Sequence, residues 1–381
     1  MPSKPRIVDE GIVYCNPHPG HKAIAAIYPS LVALSATDIL CLHIRGQALY
    51  ALDRRICAAR SSDGGRTWDD AGAILPKPGA GSRPEDAEYC YNEPLVRRMR
   101  DGQLVVVALR RRAIESEFLE FNPATGGWRD NHMFIIRSGD DGRSWSPSEP
   151  LNLPGAPVAA APSPPIELPN GQWFMSVEVW KRWDDPAPMR LVEYGALSSD
   201  RGATWSQRIE YPWLNRRDRC FSHCQYQPAR DGGVIGSIWS HSIDSQQHFD
   251  LHLVRSDPTA THWEQPRPTG ITGQVSCIGD AGGGVYGLLY TDRGHNAPGI
   301  RFVVSRDAGA TWDVKNEVAV WDAVGAEYFG SVHPPKFPAS LDNVAFGKPN
   351  LIVLHDGTFL CSWWCTHKGV IQVRSARVRL D

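Results

Sequence analysis

Ser61-Ser62-Asp63-Gly64-Gly65-Arg66-Thr67-Trp68 would pass for an ordinary turn if it occurred once. Its frame, Ser-x-Asp-x-Gly-x-Thr/Ser-Trp, returns at Ser138–Trp145, Ser198–Trp205 and Ser305–Trp312, and a worn copy at Ser256–Trp263 keeps the first Ser and the final Trp. Each position has a physical task in a hairpin. The Asp carboxylate accepts bonds from backbone N–H groups of its own turn, and the Gly takes positive φ without a steric penalty. The Trp leaves the turn as a large apolar anchor that wedges under a neighbouring sheet. Asp63, Asp140, Asp200 and Asp307 are therefore read as structural. Such recurrence along one chain is the signature of a repeat architecture.

Between these turns runs a second pattern: an apolar strand, a turn often spelled Asp-Gly or Asn-Gly, and another apolar strand. Tyr28–Leu34 and Ile39–Ile44 form the first pair, with Arg55–Arg60 leading into the first repeated turn. Corresponding units follow around Asp101-Gly102, Asn170-Gly171, Asp231-Gly232, the glycine run before Val285, and Asp356-Gly357. Short apolar runs bounded by Asp-Gly are hairpin strands. Six units result. The sixth has no repeated turn before Asp381, and the amino-terminal Arg6–Val13 is the strand available to complete it. The expectation is an all-β, six-bladed β-propeller of four-stranded antiparallel blades, a single domain over residues 1–381, closed by the N-terminal strand.

The 381 residues carry a formal charge of −2, which argues against a dedicated nucleic-acid surface. No apolar run approaches the ~20 residues that span a bilayer, and the first ten residues lack the apolar centre of a secretory signal. Nine cysteines without a Cys-x-x-Cys spacing read as reduced thiols in a cytoplasmic protein. No phosphate loop, dinucleotide fingerprint or other cofactor motif is legible. His18, His21, His223 and His241 form no short ligand pair, so no metal is expected.

In a hairpin the start of the innermost strand and the end of the second strand lie on one face, which in a propeller converges on the axis, the default pocket. Eight residues before each inner turn stand Tyr28, Glu93, Pro162, His223 and Lys348, with Gln274 or Ser276 in the fifth unit. The ends of the second strands add Arg45, Arg110, Trp239, His241, Arg293 and Trp364. Lys and Arg pair with carboxylates and Trp stacks on sugar faces, so an acidic saccharide is the natural guest. His223 titrates near neutrality and can serve as acid or base. Glu93 and Asp53 together would give the two-carboxylate arrangement of a glycoside hydrolase.

The repeated turn resembles the Asp-box, or BNR, repeat of the sialidase superfamily, whose fold is a six-bladed propeller. The first inner strand, Ala26-Ile27-Tyr28-Pro29, is similar to that family's Phe/Tyr-Arg-Ile-Pro, but Ile27 stands in the Arg position. Arg45 lies where the family has another site Arg, and Asp53 lies in the loop that holds its acid/base Asp. Lys348 and His223 occupy the slots of the family's Tyr nucleophile and its Glu partner. The resemblance thus implies a carbohydrate-active enzyme that departs from ordinary sialidases at the reacting residues. Three readings stay open: an exo-glycosidase hydrolysing a carboxylated sugar; a His-dependent lyase, with His223 removing a proton beside a uronate carboxylate and Tyr28 protonating the leaving oxygen; and a non-catalytic glycan-binding propeller. The expected catalytic set is His223, Glu93, Asp53 and Tyr28. The expected substrate-binding set is Lys348, Arg45, Arg110, Trp239, His241, Arg293 and Trp364.

Overall fold

The structure, a computed structural model, describes residues 4–380 except 76–88, 115–118, 154, 157, 161, 206, 214–215, 294–297 and 324–344. Six antiparallel sheets follow one another along the chain. Blade 1 comprises Ala25–Ala33, Ile39–Gly46, Arg55–Ser61 and Asp69–Ala73; blade 2 comprises Tyr89–Arg98, Leu104–Arg112, His132–Ser138 and Glu149–Pro150. Blade 4 is Cys220–Pro228, Val234–His241, Asp250–Arg255 and Arg267–Thr272, and blade 5 is Ser276–Gly282, Val285–Asp292, Gly299–Ser305 and Val318–Asp322. Blade 6 joins Phe346–Val353, Phe359–His367 and Val370–Leu380 to the N-terminal Pro5–Tyr14, which pairs antiparallel with Val370–Leu380. The amino-terminal strand therefore closes the ring, as its pattern of apolar residues predicts.

Blade 3 departs from the expected single inner strand. Two short pieces, Ala159–Ala160 and Ile166–Glu167, both pair with Trp173–Val179. The prolines between them, Pro162, Pro164 and Pro165, have no N–H to give a ladder, so the strand is broken there. The Ser163 N–H still reaches the Ser176 carbonyl at 2.9 Å, and the Ser176 N–H returns a bond to Ser163 Oγ at 2.8 Å.

The repeated turns lie between the third and fourth strands and lock as their chemistry predicts. Asp200 Oδ1 accepts the Thr204 N–H at 2.8 Å, Oδ2 accepts the Thr204 hydroxyl at 2.6 Å, and the Ser198 hydroxyl accepts the Gly202 N–H at 2.8 Å. The same bonds recur around Asp140 and Asp307. The Thr204 hydroxyl, the Thr204 N–H and the Ser198 hydroxyl together pull Asp200 down to about 2. Gly202 sits at φ +83°, where a side chain would be strained, and follows Arg201 at φ +58°. In the worn copy Asp257, one residue earlier than the frame requires, takes the carboxylate's part: its Oδ1 accepts the Thr261 and His262 N–H groups at 3.1 Å.

These turns also fasten blade to blade. The Trp68 indole donates to Ser375 Oγ in blade 6 at 3.0 Å, and Arg60 of blade 1 donates to the Asp141 carbonyl of blade 2 at 2.8 Å. Trp205 is buried in a cluster with Trp173, Met175 and Tyr194. All nine cysteines are free, and every one but Cys15 is buried.

Candidate active site

Four inner strands carry a bulge at the same height, and the bulged residue is never glycine. Register slips occur between Ile27 and Ser30, Asn92 and Leu95, Ser222 and Gln225, and Gly347 and Asn350. The residue entering each slip has left-handed backbone geometry: Tyr28 at φ +55°, Glu93 at +46°, His223 at +53° and Lys348 at +46°. These are the positions obtained by counting back from the inner turns. A non-glycine residue held there costs about 1–3 kcal/mol, and such strain gathers where a side chain must be aimed.

The bulges are braced around the ring. Ser30, two residues after Tyr28, accepts the Val96 N–H of blade 2 at 3.0 Å through its hydroxyl. Asn350, two residues after Lys348, accepts the Leu31 N–H of blade 1 at 2.8 Å. The inner strands of blades 1 and 6 thus each fix the next one just beyond their own bulges. The repeated turns lie at the opposite ends of the strands, which keeps their carboxylates away from this cluster.

Across the axis Lys348 Nζ meets Glu93 Oε2 at 3.3 Å, with both side chains about 7% exposed. Neither atom has a hydrogen-bond partner among the described residues, and the same is true of His223 Nδ1 and Trp364 Nε1. A polar guest at the axis would meet these donors and acceptors directly. Burial first, then the charges of Lys348, His241 and Arg293, hold His223 well below the ordinary histidine range, so its imidazole is neutral near pH 7. Arg293 belongs to the same cluster. Its guanidinium donates to the Phe346 carbonyl and its N–H to Gln274 Oε1 at 2.9 Å, which selects Gln274 over Ser276 in blade 5. Gly347 makes this possible, because a Cβ there would stand 2.3 Å from Arg293 Nη2.

Tyr28 packs edge-on against Trp364, with ring centroids 6.4 Å apart, and its hydroxyl shares a hydrogen bond with Tyr50. Burial and the neighbouring Glu93 charge raise its phenol far above the usual range, so it stays protonated. Behind Tyr50 lies a buried ionic knot. Glu120 accepts from Arg54 and from Arg111, the latter at 3.2 Å, and from the Trp128 indole at 3.0 Å. Sequence reasoning chose the neighbours of two of these residues. Asp53 is exposed and caps its own loop by accepting the Gln47 N–H at 3.0 Å, whereas Arg54 turns inward. Arg110 donates to Ser148 Oγ at 3.0 Å and lies over Tyr89, lining a cleft of about 280 Å³ with Asn131 and Leu151; Arg111 faces the knot. Arg110 and Arg111 are adjacent strand residues that point to opposite faces, so an error of one position reverses that assignment, whereas Asp53 and Arg54 lie in the loop before Arg55–Ser61.

Arg45 is also committed elsewhere. It makes a two-pronged pair with Asp70 and stacks 3.6 Å above the Tyr14 ring. Trp239 and His241 stand beside His223. The Trp239 ring lies 6.3 Å from His223 and 4.1 Å from His241, and His241 Nε2 is 3.1 Å from Ser222 Oγ. Burial, with the neighbouring His248, holds His241 at about 3. Pro162 reaches no comparable position. Blade 3 instead contributes Glu178 from its second strand, a residue the sequence reading missed. The only signal was an acid inside the apolar run Trp173–Trp180. Its carboxylate accepts the His223 backbone N–H at 3.0 Å and the Trp180 indole N–H. Burial pushes Glu178 up to about 7. Among the described residues no group of three or more His, Cys, Asp or Glu side chains is placed to hold a metal ion.

The fold is a six-bladed propeller, the architecture also found in sialidases and in an arabinanase. No protein-family model matches the chain, and no curated protein matches its sequence. Solved structures do. A Dyadobacter fermentans protein of unknown function superposes with a TM-score of 0.71 at 16% identity, covering 99% of this chain and 100% of that one. A Hadza microbial sialidase gives 0.62 at 15% identity over 94% of this chain and 67% of its own. The Penicillium chrysogenum α-L-arabinanase bound to arabinobiose gives 0.58 at 13% identity, covering 98% of each. At these identities the likeness is one of fold.

Proposed function

We propose that the protein is a glycosidase acting on a carboxylated sugar. The observation that carries this reading is the convergence of Tyr28, Glu93, His223 and Lys348 from four strained bulges, with Lys348 and Glu93 paired as buried charges. Simple adhesion to a glycan does not call for so many titratable groups in costly backbone geometry. Lys348 and Arg293 receive the sugar carboxylate, since cations in a dry site bind anions strongly. Trp364 and Trp239 offer faces and edges to the ring. Glu93 and neutral His223 are the candidate proton acceptors, and Tyr28 is the candidate donor. Propeller glycosidases of similar fold support the reaction class.

Elimination is the second reading, favoured by a specific feature. His223 and Tyr28 are both held uncharged beside two cations, the combination that abstracts a proton next to a neutralised carboxylate and protonates the leaving oxygen. Asp53, which a paired-carboxylate hydrolysis would use, faces solvent.

The test is a panel of sialosides, hexuronides and acidic oligosaccharides assayed in ¹⁸O-water. Hydrolysis places the heavy oxygen in a product; elimination gives an unsaturated, ultraviolet-absorbing product without it. His223→Ala should lower kcat by ~10²–10⁴-fold and leave binding nearly intact. Binding of an acidic sugar at the axis without turnover of any panel member would favour the glycan-binding alternative.

A further inference from the structure

Glu178 joins two blades at the point where the candidate base leaves its strand. It belongs to blade 3, yet one of its oxygens accepts the backbone N–H of His223 in blade 4, 45 positions along the chain. The other oxygen accepts the Trp180 indole N–H, so the carboxyl cannot swing away without losing both bonds. The side chain is 1% exposed, and water cannot replace it as acceptor. A bulged residue at φ +53° has lost its ladder partner, and its N–H needs a substitute. We propose that Glu178 is a positioning residue whose carboxylate clamps the blade 4 bulge, aiming His223 at the axis, and that losing its charge loosens the clamp. This deepens the function proposed above and rests on His223 acting there.

The groups facing Glu178 come from four blades: Trp180 and Glu193 from its own, Cys220 and His223 from blade 4, Glu93 from blade 2 and Lys348 from blade 6. Burial and the Glu93 charge favour the neutral carboxyl; the two N–H donors and Lys348 favour the carboxylate, and the balance falls at about 7. Ionised, both oxygens accept charge-assisted bonds. Protonated, one oxygen carries a hydrogen that competes with the N–H donors for the same space, and the grip on His223 weakens. His223 itself, depressed by burial, does not change charge near neutrality. An event at this bulge around pH 7 therefore belongs to Glu178 or to its neighbour Glu193, which burial and the Glu178 charge raise to about 8, and Glu178→Gln tells the two apart.

The experiment needs no substrate. The intact protein is labelled with ¹⁵N-histidine, and the His223 amide is assigned by its disappearance in His223→Gln. That amide should shift with a midpoint near pH 7 as the clamp charges, and Glu178→Gln should abolish the step. A His223 amide that stays fixed from about pH 5.5 to 8.5 in the folded parent protein overturns the proposal, as does the same step in a folded Glu178→Gln. The parent titration decides the matter alone if the variant does not fold. Once a turned-over substrate is found, kcat should show an acid limb near 7 that Glu178→Gln removes. The variant should have kcat about 10²-fold lower with KM little changed, the cost of a misaimed group. A titrating amide without turnover of any acidic sugar would count against the substrate reading and leave the clamp standing.

Discussion

Lys348 and Glu93 offer the sharpest test of the axial cluster, because each is the other's compensating charge. They stand 3.3 Å apart at about 7% exposure. Lys348→Met keeps the length of the stem and removes the ammonium, leaving Glu93 as a buried carboxylate beside no cation of its own. Breaking one side of a buried pair costs about 3–5 kcal/mol, mostly the penalty of the stranded partner. Glu93→Gln should cost a similar amount for the converse reason. The double variant strands neither charge, so its loss should fall short of the sum by about 2–3 kcal/mol, within the range measured for contacting pairs. Urea unfolding of the four proteins reads this directly, since domains of this kind hold about 5–15 kcal/mol in all. Binding separates the roles. Lys348→Met should weaken an acidic sugar far more than its neutral analogue, whereas Glu93→Gln should not weaken the acidic sugar, because it removes a competing anion from the ammonium. Costs that add to within about 0.5 kcal/mol would show that the two groups do not share a pair, and the account of the axis would fail.

Further expectations concern the scaffold. Glu193 accepts the Ser176 and Tyr226 hydroxyls through one oxygen, at 2.9 and 3.0 Å, while its other oxygen is buried without a partner. Burial, then the Glu178 charge, raises it to about 8, above its unfolded value, so its contribution is complete at acid pH and lost as pH rises to about 8. Glu193→Gln should therefore match or trail the parent in thermal stability near pH 5 and exceed it near pH 9; a constant difference between the two would refute the assignment. Trp205→Ala should cost ~3–5 kcal/mol in chemical unfolding while any folded fraction keeps its ligand affinity, because the residue lies in the core. Gly347→Ala should displace Arg293 from the Phe346 carbonyl and lower affinity for acidic sugars; unchanged affinity would remove Arg293 from the site.

Much of the site was legible. Tyr28, Glu93, His223 and Lys348 follow from counting along the inner strand, because blades 2, 4 and 6 repeat the same distance between the bulge and the Asp-Gly turn and blade 1 keeps it to its own turn. Arg293, Trp239, His241 and Trp364 follow from the end of the second strand, which pairs with the bulged segment. Arg45 and Arg110 were taken by the same rule and Asp53 from the family resemblance, yet their side chains are claimed by Asp70, by Ser148 and Tyr89, and by the Gln47 N–H. Each has a neighbour or a competitor that local pattern does not reveal. A strand tells which residues alternate, but the partner waiting on each face belongs to another part of the chain.

What the chain determined by itself is therefore local and periodic: the turn whose Asp satisfies its own backbone, the alternation of apolar residues, six hairpin units, and a first strand that suits the last blade. Those features depend on hydrogen bonds and contacts spanning a few residues, and they recur, so one reading checks another. Glu178, Arg54, Arg111 and Glu120 were decided only in the tertiary structure. Their partners lie in other blades or on long loops, and closing the ring is what carries a buried acid in blade 3 to the backbone of His223 in blade 4. Whether a buried charge is a defect, a brace or a working group depends on what faces it across the axis, and that is set by the ring as a whole.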